Sequence, residues 1–292
     1  MAPRTDIVVA RDGTQLFTRT WPVSGEPWGV VLVVHGVSEH SGRYEQVGKW
    51  LSGAGLEAHA YDHRGFGRSG GRRAYVRSWE ALLTDLEDRL AAVRAPGLPL
   101  TLWGHSMGGL LATEYAESDA PQPDLLVLSS PGLGSSHPRW LRLLAEVSGR
   151  VIPRLFVPDR GSDYSHLSRD PAVSEAFAND PLVVHGATAR LGLEAFRAQR
   201  RASAAIDRIR VPTLVIHGGA DLLCPPSASE PLERLAVVER RLYPGLRHEL
   251  HQEPEGREIV EEAVAWLRAE AERLADAATP SSAAATPPGA PR

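Results

Sequence analysis

Ser106 lies in Gly104-His105-Ser106-Met107-Gly108, with a glycine two residues to either side. That spacing suits a turn so tight that the chain before and after the serine nearly touches, leaving no room for side chains at 104 and 108. The product is a strained, exposed hydroxyl at the start of a helix, where free N–H groups and the dipole favour developing negative charge. The chemistry this serves is attack on an acyl carbon. A serine cannot do it alone: it needs a base, and the base needs an acid to hold its tautomer.

Candidates for both lie later in the chain. Asp221 follows His217-Gly218-Gly219-Ala220 at the end of an apolar run, whereas the earlier run ending in Ser129-Ser130 supplies no carboxylate. An Asx-turn is the plain alternative for Asp221. Beyond it only His248 and His251 remain. His248 closes Tyr243-Pro244-Gly245-Leu246-Arg247-His248, just past the last predicted strand, and is the first choice of base. His251, about one helical turn on, is the second. His217 sits within its strand and reads as a packed, hydrogen-bonded core residue. An oxyanion would need two backbone N–H donors, each worth roughly 3 kcal/mol in comparable sites. Met107, after the nucleophile, is one; Val37, after His35-Gly36, is the other.

The elements that must position these groups follow from periodicity. Leu100–Trp103 and Gly29–Val34 are apolar runs that predict strands covered on both faces. Met107 to Ala116 has helical spacing, so strand, turn and helix occur in the order the serine requires. Residues 7–21 alternate around Asp12-Gly13 and predict a hairpin. Helices over 45–53, 78–94 and 255–274 alternate with strands at 57–61, 125–128, 212–217 and 237–243, which means a parallel sheet with right-handed crossovers. The rhythm breaks between Gly132 and Ala205. Trp140, Leu144, Val147, Val151 and Leu155 mark one helix face there, interrupted by Pro153. The expected fold is α/β: a doubly wound, mostly parallel sheet built from 1–131 and 206–274, with a helical cap inserted at 132–205. The tail 275–292, rich in Ala, Pro, Ser and Thr, is expected to be disordered. The glycine-rich loop Asp62–Gly71 has no phosphate-loop pattern and reads as structural, with Asp62 and Arg64 locking the backbone.

At 292 residues the chain can bury a sizeable core. A net charge of -4 without a basic stripe gives no support for nucleic-acid binding. One cysteine, Cys224, excludes an internal disulfide framework and a thiolate metal site. The eleven histidines contain no His-Glu-x-x-His, so neither metal nor other cofactor is expected. Met1 to Arg11 lacks a hydrophobic leader and no apolar run approaches spanning length. A cytoplasmic location is expected, with peripheral contact at membrane or lipid surfaces left open. The oligomeric state is not set by the sequence.

The residues His35-Gly36-Val37-Ser38-Glu39-His40-Ser41-Gly42-Arg43-Tyr44, Gly104 to Gly109, Asn179-Asp180-Pro181-Leu182, His217 to Asp221 and Tyr243 to His248 resemble the monoacylglycerol lipase branch of the α/β-hydrolases, a serine aminopeptidase S33 and lysophospholipase-like group. The stretch Glu39 to Tyr44 is the most specific of them. The resemblance implies an α/β-hydrolase fold, a triad of Ser106, Asp221 and His248, and an oxyanion hole from the N–H groups of Val37 and Met107. It further implies that Glu39, Arg43 and His105 shape the polar end where glycerol sits, and that Cys224 confers sensitivity to thiol reagents, against the plainer reading of a small buried residue. One departure is Phe177, where some relatives carry a tyrosine, so a hydroxyl contact to glycerol is missing at that position.

The expected activity is two-step hydrolysis of a small-molecule lipid ester, a monoacylglycerol, through an acyl-enzyme. Lysophospholipids or short-chain esters are the alternative substrates, and acyl transfer the alternative reaction. Aspartate-nucleophile dehalogenases and epoxide hydrolases are disfavoured by serine at 106. A non-catalytic ligand-binding protein on the same fold is the remaining class.

Overall fold

The computed structural model describes residues 2–136, 138–159 and 163–278. β1 (Arg4–Val9) and β2 (Gln15–Trp21) form the expected antiparallel hairpin, turned at Gly13 in left-handed backbone. β3 (Gly29–Val34), α1 (Glu45–Gly53), β4 (Leu56–Tyr61), α2 (Trp79–Val93), β5 (Leu100–His105), α3 (Met107–Ala116) and β6 (Leu125–Ser129) then alternate. The chain leaves the sheet through α4 (Arg139–Val151), β7 (Phe156–Pro158), α5 (Pro171–Asn179), β8 (Gly186–Thr188) and α6 (Ala189–Ala205). It returns with β9 (Thr213–Gly218), β10 (Val238–Tyr243) and α7 (Gly256–Ala278).

The main sheet has eight strands in the order β1-β2-β4-β3-β5-β6-β9-β10. All pairings from β4 to β10 are parallel, and only β1–β2 and β2–β4 are antiparallel. This is the doubly wound sheet of an α/β-hydrolase. The alternation of side chains explains why it needs helices on both faces. Val30, Leu32 and Val34 point into one core with Leu102, Leu128 and α2 residues Leu82 and Leu86. Val31 and Val33 point into the other, with Val127, Leu214 and residues of α1 and α7, among them Leu51 and Leu267. Each such side chain contributes about 1.5–3 kcal/mol over leaving it exposed.

Two differences from the sequence reading have physical causes. The ribbon of β7 and β8 was not anticipated, since three residues per strand are too few to show alternation. α7 runs to Ala278 rather than 274, because Ala271 to Ala278 are mostly good helix formers. Residues 279–292 of the expected tail lie outside the described residues. The apolar stripe of α4 is not packed: Trp140 is 63% exposed, Leu143 65%, Val147 54% and Val151 74%.

The Asp62–Gly71 loop is tied by its own carboxylate. Asp62 accepts the N–H groups of Ser41 (2.8 Å) and Arg68 (2.7 Å), and Gly67 is obligatory because a Cβ there would strike that carboxylate. Arg64 bridges Asp85 and Asp12, fastening the loop to α2 and the hairpin.

Candidate active site

The sharp turn between β5 and α3 forms as the glycine spacing requires. Ser106 has φ 52° and ψ −117°, a left-handed conformation costly to any residue with a Cβ. A Cβ at Gly104 would meet the Gly108 carbonyl, and one at Gly108 would meet the carbonyls of Val34 and His35 at the end of β3. The strain is held by hydrogen bonds: Ser106 N–H donates to Ser129 O (3.1 Å), and Ser106 O accepts from Gly132 (2.8 Å) and Leu110 (3.0 Å). Ser38 and Ser130, beyond β3 and β6, are left-handed too. Strained backbone thus concentrates at the carboxyl ends of three adjacent parallel strands, where α/β sheets gather their reactive groups.

Asp221 and His248 arrive from the ends of β9 and β10. His248 Nδ1 lies 2.7 Å from Asp221 Oδ2, so the ring donates there and its Nε2 is left without the proton. Asp221 Oδ1 accepts the N–H groups of Leu223 (2.8 Å) and Cys224 (2.9 Å). His217 Nε2 stands 3.3 Å from Oδ2 while donating to Cys224 O at 2.9 Å. Burial opposes the Asp221 charge, yet the charge of His248 and these hydrogen bonds outweigh it and hold the carboxyl below its usual range. For His248, burial disfavours the imidazolium, but Asp221, with Glu249 and Glu39, prevails and lifts its pKa above the ordinary 6.5.

Ser106, His248, Met107 and Val37 face one cavity of about 460 Å³. No hydrogen bond joins Ser106 to His248 among the described residues; the serine hydroxyl lies beside the Cys224 thiol instead. Catalytic hydrogen bonds are often long in unliganded sites. The N–H groups of Val37 and Met107 are engaged by no described hydrogen bond. Glu39, His105 and Cys224 also line this cavity, together with the apolar Leu110, Leu191, Ala195 and Phe196. Burial and the Asp221 charge push the Cys224 thiol up, which keeps it protonated.

Arg43 and His251 are placed differently from what substrate contact requires. Neither borders the cavity. The Arg43 guanidinium lies 4.7 Å from the Phe177 ring centre and is taken up by Glu39 and Glu249. His251 is buried, stacked on Tyr44 at 4.7 Å, and its environment, chiefly burial, lowers its pKa to about 4. His105 is also buried, with Nδ1 donating to Ser129 O (3.1 Å) and its ring 4.8 Å from that of His248. Burial, then the neighbouring His248 and His251, hold its pKa well below the usual value, so it is neutral.

Two contributors escaped the sequence reading. Tyr164 packs against Phe177 at 4.9 Å and brings a hydroxyl, bonded to Asp159 (2.9 Å) and His185 (2.7 Å), to the cavity wall. Glu249, next to His248, lines the cavity as well. A carboxylate adjoining the candidate base was the available signal. The His248 loop is also bonded to the segment before α5: His248 N–H donates to His166 O (3.4 Å), Glu249 N–H to Leu167 O (2.7 Å), and the Arg247 guanidinium to Ser165 O and Ser168 O.

A family model described as serine aminopeptidase, S33, matches residues 25–255. The chain is 35% identical over 268 residues to a monoacylglycerol lipase of Mycolicibacterium smegmatis, covering 87% of this chain and 93% of that one. It resembles the crystal structure of Paleococcus ferrophilus monoacylglycerol lipase with a TM-score of 0.79 and 33% identity, over 87% of this chain and 99% of that one. A soluble variant of monoglyceride lipase from Saccharomyces cerevisiae, solved with a substrate analog, gives a TM-score of 0.83 at 25% identity, over 92% and 96% of the two chains.

Proposed function

Because the chain belongs to the serine aminopeptidase S33 family, we propose that it hydrolyses monoacylglycerols to glycerol and fatty acid through an acyl-enzyme on Ser106. The observation that carries the reading is the convergence on one cavity of a left-handed serine, an imidazole bonded to aspartate and two unengaged N–H donors. His248 Nε2 takes the proton of Ser106 as its oxygen attacks the ester carbonyl. The N–H groups of Val37 and Met107 hold the tetrahedral oxyanion. His248 then protonates the departing glycerol oxygen, and a water repeats the sequence on the acyl-enzyme. Asp221 keeps the imidazole in the tautomer this requires.

The lining of the cavity supports this substrate class. The apolar lining, with Leu110, Leu191 and Phe196, suits one hydrocarbon chain, and the polar lining, with Glu39, His105 and Tyr164, suits a polyol. Names of relatives support the same class. The test is glycerol release from monoacyl and triacyl substrates, with acyl esters of glycerophosphocholine and p-nitrophenol in the same series. Monoacylglycerols should be turned over fastest; preference for the triacyl ester would refute the assignment.

Segment 132–205 is read as a cap that meets the lipid surface. The support is the exposed stripe of α4, an apolar patch that a free surface helix seldom carries without a partner. Among the described residues no helix is long and apolar enough to cross a membrane. Burying one such side chain contributes about 1.5–3 kcal/mol. The double variant Leu143→Ser/Val147→Ser should therefore lower sedimentation with phosphatidylcholine vesicles at least about tenfold. Its turnover of water-soluble p-nitrophenyl acetate should match the parent. Undiminished vesicle binding would place the lipid contact elsewhere.

A further inference from the structure

Arg43 stands between two loops that the reaction must keep in register. On one side its Nη1 donates to Glu39 Oε2 (3.1 Å), and Glu39 Oε1 in turn accepts the Gly36 N–H (2.5 Å) and the Tyr44 hydroxyl (2.8 Å). Gly36 directly precedes Val37, the oxyanion donor in the reading above. On the other side Nη1 and Nη2 form a fork onto Glu249, at 2.5 and 2.7 Å, and Glu249 directly follows His248. Gln252 Nε2 adds a bond to Arg43 O at 3.0 Å. The three charged side chains are buried, and Arg43 is 206 residues from Glu249 in sequence.

A guanidinium that is to hold a glycerol hydroxyl should border the substrate cavity and keep donors free for it. Arg43 does not border it, and the Phe177 ring lies against its guanidinium. We propose that Arg43 is a positioning residue which, through Glu249, clamps the oxyanion loop to the loop that carries the base. A buried ion pair is a costly way to gain stability, because desolvation offsets most of the attraction. It is well suited to fixing geometry, since a bidentate fork allows one orientation only. The inference rests on the assignment of His248 and Val37 to the reaction, but not on the identity of the substrate.

The test compares Arg43→Lys, Glu249→Gln and their combination on a monoacylglycerol, on p-nitrophenyl butyrate, and in the rate of Ser106 labelling by a fluorophosphonate. Lysine keeps the charge and loses the fork; glutamine keeps the shape and loses the charge. Each single change should lower kcat on both esters and the labelling rate by about 10–100-fold, with KM within about twofold, as expected of a misplaced reacting group. The combination should fall little below the slower single variant, because both remove one contact. Loss of folding is controlled by Arg43→Met/Glu249→Leu, which replaces the pair by apolar side chains; it should melt near the parent temperature and still be slow. A higher KM for monoacylglycerol alone, with p-nitrophenyl butyrate turnover and labelling intact, would assign Arg43 to the headgroup and overturn the clamp. So would a fully active Arg43→Met/Glu249→Leu. A parent protein that cleaves p-nitrophenyl butyrate but no monoacylglycerol refutes the substrate reading, and the clamp is then judged on that ester and on labelling.

Discussion

Ser106→Ala leaves a folded protein whose ester turnover is lower by about 10⁵–10⁶-fold, the scale set by removing a nucleophile that acts as a unit with its base. Stability is expected to hold because serine and alanine both carry a Cβ, so the left-handed backbone at φ 52° is no more strained in the variant. No backbone hydrogen bond is lost, as those of Ser106 to Ser129, Gly132 and Leu110 are main-chain bonds. Stopped assays with a p-nitrophenyl ester and intact-mass analysis after fluorophosphonate treatment check both halves. Turnover or labelling of the variant at the parent rate would remove Ser106 from the reaction and require another nucleophile; a parent protein that neither turns over the ester nor takes the label would fall to the ligand-binding class.

Asp221→Asn is the second large loss, about 10⁴-fold in kcat, and its cause can be read from the hydrogen bonds. Oδ1 of Asp221 accepts two backbone N–H groups, from Leu223 and Cys224. The amide oxygen of asparagine must stay there, which turns its NH2 group toward His248 Nδ1. Nδ1 then has to accept rather than donate, the proton moves to Nε2, and the imidazole can no longer take one from serine. The pH profile gives an independent reading. Neutral His248 is the working form, so kcat/KM falls as pH drops through its pKa. Asp221, working against burial, raises that pKa above 6.5, which puts the acid limb of the parent above pH 6.5. Removing the carboxylate should move the limb to lower pH along with the loss in rate. A limb that stays where it was would detach Asp221 from the base.

What the amino-acid sequence announces by itself divides along a physical line. Residues whose placement depends on local backbone were legible. Gly104 and Gly108 announce the turn at Ser106 because only a missing Cβ permits it, and the runs Gly29–Val34 and Leu100–Trp103 announce buried strands by composition. Residues whose role depends on side-chain packing across the fold were not. The expectation that Arg43 meets glycerol came from family resemblance, and the sequence offers no sign that Glu249 and Glu39 share its guanidinium. The stripe on α4 was visible as a pattern, but periodicity alone does not say whether a stripe faces a core or solvent. Tyr164 could not be paired with Phe177 because no spacing rule connects the short 3-10 turn Tyr164–His166 to α5.

One connection made outside the sheet bears on how the imidazole keeps its aim. The backbone on either side of it hangs from residues 166 and 167, with the neighbouring guanidinium gripping 165 and 168. Those anchor points belong to the excursion between β6 and β9, not to the rigid strands. Steadiness of the proton acceptor is therefore borrowed from a region that also carries the stripe of bare apolar side chains, and whatever settles that region also settles the ring.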